Sequence, residues 1–314
     1  MPFDFNHVSV PLRMQPGLRR IAPGSAQLTP TTNSSRHLRE KMAVLATHAD
    51  EALVEVADFD AGPVLRAIAD EAAMLPSPPF LVDGVGDCHA PRLGWSINDG
   101  RPEGTGDTAI GELLASLPLS KRSTALLCLA FEEDFALIDG ATATIPWLAV
   151  CLPSRWAPED KVGRHFAEVH APVADNALLI EASDRLARLV TGANRWERFV
   201  WTISADPRLH QHPARGELRW PDDADAEAIA AGASLRHEHQ TFIPVPGTGQ
   251  AVFTIRVASE PLDTALRTRE DAARLRDALA SMTPEVLAYR GLSAVHGRLL
   301  EALTSRIAAL PPAT

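Results

Sequence analysis

The sequence predicts an α+β fold, an antiparallel sheet flanked by N- and C-terminal helices. Three observations predict it. The first 75 residues and the stretch after 261 carry apolar residues at helical spacing. Two strand-like runs, 235–244 and 250–258, are joined by P-V-P-G-T-G, a hairpin signal. Strands do not alternate strictly with helices, which disfavours a doubly wound parallel sheet. The expected organisation is an N-terminal arm with helices (1–75), a sheet-bearing core (76–260) and C-terminal helices packed on that core (261–314).

In chain order, 1–35 is rich in Pro, Ser and Thr and reads as an extended arm. Asn33-Ser34-Ser35 can cap a helix over 36–56, where Leu38, Met42, Leu45 and Ala49 recur at helical spacing. A second helix is expected over 61–74, before Pro76. Short strands and loops follow over 80–105, then a helix over 108–117. The apolar runs 124–130, 135–139 and 145–152 read as strand, turn, strand. A capped helix is expected over 154–170 and another over 176–190, with Leu178, Leu179, Ala182, Leu186 and Leu189 on one side. A strand over 199–204, a polar alanine-rich excursion over 216–232 and the hairpin lead to the final helices, broken at Pro284 and Gly291.

The chain has 314 residues, 46% apolar and 22% charged, with a formal net charge of −10. That balance suits a soluble globular protein and gives no reason to hold a phosphate backbone, so no nucleic-acid partner is expected. No apolar run approaches the roughly 18 residues of a membrane span, so no membrane insertion is expected either. The N-terminal M-P-F-D-F-N-H-V-S-V-P lacks a basic region followed by an apolar core, so no signal peptide is expected. Three cysteines without a C-x-x-C fit a reducing, cytoplasmic location, and Cys128 and Cys151 lie in apolar runs as buried thiols.

Three stretches carry candidate chemistry. In 153–173, Val162, Phe166 and Val169 share one helical face. His170 lies one residue round from it, where Pro172 stops the helix. A histidine there serves either as a metal ligand, which requires neutral imidazole, or as a partner for helix-end carbonyls. In 235–242, strand alternation puts His237 and His239 on one side and Arg236, Glu238 and Gln240 on the other. A His-x-His pair on a strand can hold a non-haem metal, but 241–249 offers no carboxylate to complete it; solvated strand histidines are the other reading. In 195–201, arginines alternate with aromatics (Arg195, Trp196, Arg198, Phe199, Trp201), a pattern that suits flat anionic ligands or an ordinary amphipathic strand. His210-Gln211-His212 is a weaker signal in a Pro-flanked loop. No phosphate loop, G-x-S-x-G or H-E-x-x-H occurs.

Together these motifs resemble the haem-dependent oxidative N-demethylase family. The resemblance rests on Met14, Gly17, Leu18 and Arg19; Glu133 and Asp134; Trp156, Pro158, Lys161, Gly163, His170, Pro172 and Val173; Arg198 and Trp201; Arg236, Glu238, Gln240 and Thr241; and Pro246, Gly249, Phe253, Thr254 and Ile255. The chain departs from the pattern at Val200, where the family has Asn, at His239, where it has Arg, and at Ala174, where it has Pro. The resemblance implies a PAS-like sheet that binds haem b and works as an oxygenase. It implies oxidation of a small amine with O2, typically at an N-methyl group with release of formaldehyde, using electrons from a separate flavin and iron–sulfur reductase. On this reading His170 is the axial iron ligand. Lys161, Arg198, Trp201, Arg236 and His237 contact the cofactor, and Glu238 and His239 are the catalytic candidates. A haem-based PAS sensor, although no output module is visible, and a non-haem metal enzyme using His237 and His239 are the competing readings. The sequence leaves a homo-oligomer open.

Overall fold

The computed structural model describes residues 3–13, 17–22, 24–174, 176–216 and 219–311. The N-terminal arm contributes a short strand, β1 (Arg19–Arg20). Ser35 then starts α1 (Arg36–Ala52), its hydroxyl accepting the Leu38 N–H at 3.1 Å. After β2 (Leu53–Glu55), Pro63 sits in the first turn of α2 (Gly62–Ala72), where its missing N–H does no harm. The 80–105 region folds as a four-stranded antiparallel sheet, β3 (Leu81–Val82), β4 (Cys88–Ala90), β5 (Trp95–Asn98) and β6 (Arg101–Gly104). Two helices follow, α3 (Thr108–Ser116), capped by Asp107, and α4 (Leu119–Ala130), opened by Pro118.

The run 124–130, expected as a strand, is the second half of α4. Every residue from Thr124 to Ala130 is buried. A run buried on all sides carries neither a two-residue nor a 3.6-residue period, and only its length from Leu119 distinguishes helix from strand. The strands that follow are β7 (Asp134–Asp139) and β8 (Trp147–Ala149).

The helix expected over 154–170 is also corrected. Pro158 opens a single 3-10 turn (Pro158–Asp160), and Gly163 turns the chain at φ +75°. Only α5 (Phe166–His170), five residues long, is α-helical. Its start is set by His165, whose Nδ1 accepts the Ala167 N–H at 3.2 Å while Glu168 accepts the His165 N–H at 3.3 Å. The 176–190 pattern folds as two pieces, α6 (Ala177–Glu181) and α7 (Ser183–Val190). Beyond lie β9 (Trp196–Ser204), α8 (Ala226–Gly232), and the hairpin β10 (Ser234–Val245) and β11 (Gln250–Pro261). The chain closes with α9 (Leu262–Ala265), α10 (Arg269–Ala280), α11 (Pro284–Tyr289) and α12 (His296–Ala309).

The larger sheet has the order β1-β9-β10-β11-β7-β8-β2, and every neighbouring pair is antiparallel. The fold is therefore α+β, as expected. Residues directly opposite on paired strands share a side of the sheet. Arg198 faces Gln240, Val200 faces Glu238 and Thr202 faces Arg236, so the even-numbered residues of β9 and β10 form one side. The odd-numbered side, with Trp201, Ile203 and Leu235, packs on α8–α12 and on Phe3, Phe5 and Val8 of the arm. On the even-numbered side, Phe242 and Phe253 stack at 5.0 Å between ring centres. They adjoin an apolar patch of Ala136, Ile145, Leu148 and Val150, against which Trp156, Val162 and Val169 pack.

Candidate functional site

The capping of α5 by His165 and the turn at Gly163 bring His170 over the even-numbered side of the sheet, beside Lys161 and Arg198. Val169 and Val162 pack into the apolar patch, and Phe166 lies under the His170 ring at 4.1 Å between centres. His170 Nδ1–H donates to the Phe166 carbonyl at 2.8 Å. A carbonyl can only accept, so the proton is on Nδ1 and the lone pair of Nε2 is free; among the described residues Nε2 has no hydrogen-bond partner. Burial pushes the His170 pKa down to about 4, and the nearby Arg198 and Lys161 charges push the same way. The imidazole is neutral at pH 7, as a metal ligand must be.

The Arg198 side chain, in the middle of β9, makes no hydrogen bond or ion pair among the described residues, and its Nε is buried without a partner. Burial lowers its pKa, and the charges of Glu238 and Tyr289 offset part of that. Lys161 makes one long bond, Nζ to the Val169 carbonyl at 3.4 Å, and burial lowers its pKa as well. Two cations thus stand beside a neutral imidazole over an apolar wall, in a chain whose net charge is −10. Buried polar groups are normally satisfied, so the unpartnered Arg198 Nε points to an anion supplied from outside.

Glu238, on the same side, is held in place. Its Oε1 accepts the Ser154 hydroxyl, and its Oε2 accepts Gln240 Nε2 at 2.5 Å. Ser154 in turn accepts Arg236 Nε at 2.9 Å. Sequence reasoning did not find Ser154 as a member of this set, or Tyr289, the chain's only tyrosine. Tyr289 ends α11 and lies in the electrostatic reach of both Arg198 and Glu238. No local motif marks either residue; long-range packing alone brings them here.

Three expected site residues lie on the other side of the sheet, and a fourth, Arg236, is committed to the scaffold. Arg236, 2% exposed, is a structural staple. Beyond Ser154, it donates to the carbonyls of Arg208 and Leu209 at 2.9 Å each and of Leu152 and Pro153 at 3.4 Å each. Its donors are committed to fixing the loops on either side of Glu238 rather than to a ligand. His237 and His239 lie on the odd-numbered side, opposite His170 and Glu238. His239 Nε2 pairs with Glu197 at 2.7 Å, and its ring stacks on Phe199, which stacks on His7 of the arm. His237 packs on Phe3 at 4.8 Å. Trp201 is buried on that same side with Arg290 over its ring at 5.0 Å. The alternation that separates these histidines from Glu238 was legible; grouping them into one site overlooked that a sheet has two sides. Arg195, noted among the same arginines, pairs with Glu71. The Glu133–Asp134 pair is structural too. Asp134 takes buried Lys41 at 3.1 Å and the Leu152 N–H at 2.6 Å, anchoring the strand end that leads to Ser154.

Among the described residues, one group of three ligand-type side chains gathers closely, namely Glu51, Glu159 and His212. His212 Nδ1 accepts the Ala214 N–H, so Nε2 carries the proton that Glu159 accepts at 3.1 Å, and Glu51 is paired with Arg215. This is a closed ion-pair network. Among the described residues His237 and His239 belong to no such close group of three; the carboxylate beside them, Glu197, pairs with His239 alone.

A neutral imidazole with an open Nε2, an apolar wall and two uncommitted cations can receive a flat, metal-bearing anionic cofactor. Residues 108–300 match the model of the haem-dependent oxidative N-demethylase, alpha subunit-like family. The match covers more than half of the chain, and the protein belongs to this family. It spans His170, Arg198 and Glu238; Gly17, Leu18 and Arg19 lie before it, and Met14 lies outside the described residues. A comparison with curated proteins found no match. No helix among the described residues is long and apolar enough to cross a membrane.

The buried histidines set an acid limit. Burial lowers His237 to about 4 as well as His170. Between the ordinary value of 6.5 and pH 4 these two histidines bind more protons in the unfolded chain than in the folded one, so their contribution to stability is lost as pH drops through that window, while Glu133, raised by burial to about 7, offsets part of the loss. Each histidine contributes a slope of at most about 1.4 kcal/mol per pH unit. Urea unfolding of the haem-free protein from pH 7 to 4 should show this loss, and His237→Phe should remove about one proton from the slope. A stability that is flat over this range contradicts the assignment of both histidines as neutral.

Proposed function

We propose that this chain binds haem b in a PAS-like pocket on the even-numbered side of the sheet, where His170 Nε2 would hold the iron, and oxidises an amine at nitrogen or at an N-methyl group. The observation that carries this reading is His170, pinned through Nδ1 with Nε2 free, beside Lys161 and the apolar wall inside the region that matches the family. The donor set fits the group: neutral imidazole suits haem iron, and Lys161 suits a propionate carboxylate. Bound haem would supply the one-electron and O2 chemistry that protein side chains lack.

The chain's own residues do the rest. Phe166, Val162, Val169, Trp156 and Phe253 exclude water. Glu238 anchors the amine, oriented by Ser154 and Gln240, while Arg236 and Asp134 fix the loop that carries Ser154. His239, His237 and Trp201 support the strand from behind. For an N-methyl amine, O2 with two electrons and two protons gives the carbinolamine and water; the carbinolamine then releases formaldehyde and the demethylated amine. The chain carries no C-x-x-C or dinucleotide fingerprint, so a separate flavin/iron–sulfur reductase is the expected electron donor, which fits the alpha-subunit-like family. The three buried thiols suit a reducing, cytoplasmic location.

The test supplies haem-loaded protein with dithionite or a surrogate reductase, O2 and a panel of methylated amines. Formaldehyde and an oxidised or demethylated product are expected by mass spectrometry. Haem-loaded protein that oxidises no amine under reductant or peroxide overturns the N-oxidation reading in favour of a sensor.

A further inference from the structure

The Arg198 and Glu238 side chains are opposite charges on adjacent strands and on the same side of the sheet. Arg198 is directly opposite Gln240, two residues from Glu238. Such diagonal neighbours are within reach of long side chains. They nonetheless make no ion pair: Gln240 and Ser154 occupy the two Glu238 oxygens, and the Arg198 guanidinium has no partner among the described residues. A charge pair held apart by its own neighbours leaves a cation seat and an anion seat side by side.

A third group, Tyr289, is near enough to this pair to interact with both charges. It is 47% exposed, its hydroxyl has no partner among the described residues, and it lies in the electrostatic reach of Arg198 and Glu238. A phenol and a guanidinium are both donors, and a carboxylate is the group that accepts from both. An aliphatic monoamine would satisfy Glu238 and leave the buried Arg198 Nε without a partner.

We propose that the substrate is an amine that also carries a carboxylate, of the amino-acid or N-methyl amino-acid class, with its amine at Glu238 and its carboxylate on Arg198 and Tyr289. This rests on the proposed function, because it places the substrate in the same pocket. A carboxylate on Arg198 has a second source, a haem propionate. On the substrate assignment Lys161 holds the propionate and Arg198 does not.

The experiment uses haem-loaded full-length protein and matched ligand pairs that differ only by the carboxylate: sarcosine against dimethylamine, N-methylalanine against N-methylethylamine, leucine against isopentylamine. Binding is read by calorimetry and by perturbation of the Soret band. The acids should bind roughly 10- to 100-fold tighter than their decarboxylated partners. Arg198→Met should abolish that preference while haem content and amine affinity stay unchanged. Tyr289→Phe, at a half-exposed position that folding does not depend on, should weaken the acids alone by several-fold. Equal affinity for both members of each pair overturns the proposal. Loss of haem from a folded Arg198→Met protein with acid binding intact also overturns it, and assigns Arg198 to a propionate. Haem uptake is scored separately. Its absence in the wild-type chain sinks the proposed function, whereas the calorimetric preference for acids is read on the same sample either way.

Discussion

Replacing Arg236 by alanine should destabilise the folded chain by roughly 3–5 kcal/mol, on the scale of breaking a buried charged network. The guanidinium is almost fully buried and ties four backbone carbonyls and the Ser154 hydroxyl together. Without it those acceptors stay desolvated and unpaired, each a loss of about 1–3 kcal/mol before relaxation. Arg236→Lys should recover only a minor part, because one ammonium cannot reach partners spread around a planar fork. Chemical denaturation of wild type and both variants checks this. A change below about 1 kcal/mol in Arg236→Ala would show that the staple is dispensable. Any haem loss in this variant should track unfolding rather than a missing ligand contact.

His170→Ala should leave the fold intact and remove the haem. The residue is only half-buried, ends a five-residue helix and makes one hydrogen bond to its own helix, so its loss costs the fold little. Partners that merely orient a metal ligand account for 10- to 100-fold in affinity, so losing the ligand itself should weaken haem binding on the order of 100-fold or more. The readout is haem content after desalting, alongside an unchanged far-UV circular dichroism spectrum. Added imidazole should restore haem retention to the variant. A variant with full haem content and an unchanged low-temperature EPR spectrum would place the ligand elsewhere.

Much of this architecture was legible from sequence because its signals are local. The β10–β11 hairpin is announced by a Pro-Gly turn between two apolar runs, α1 by Ser35 and the C-terminal helices by Pro284 and Gly291. What escaped depends on burial and on distant partners. The 124–130 run is apolar on every side and so carried no period that distinguishes helix from strand. The 154–170 stretch looked like one helix because Val162, Phe166 and Val169 share a helical spacing, yet Gly163 and the His165 cap start the helix later. His170 at a helix end and Glu238 opposite the histidine side were readable from Pro172 and from strand alternation. The commitment of Arg236 was not. An arginine in a strand reads as a ligand-binding cation until its carbonyl partners, from 152–153 and 208–209, are brought to it. Ser154 and Tyr289 carry no local signature, and only long-range packing brings Ser154 onto Glu238 and Tyr289 within electrostatic reach of Glu238 and Arg198.

The measurement that tests the central claim most directly is the absorption spectrum of the purified chain titrated with haemin, with the His170→Ala variant in parallel. The account predicts a Soret band that saturates at one haem per chain in the wild type and fails to develop in the variant. A folded wild-type chain that takes up no haem, or a variant whose Soret titration matches the wild type, contradicts it.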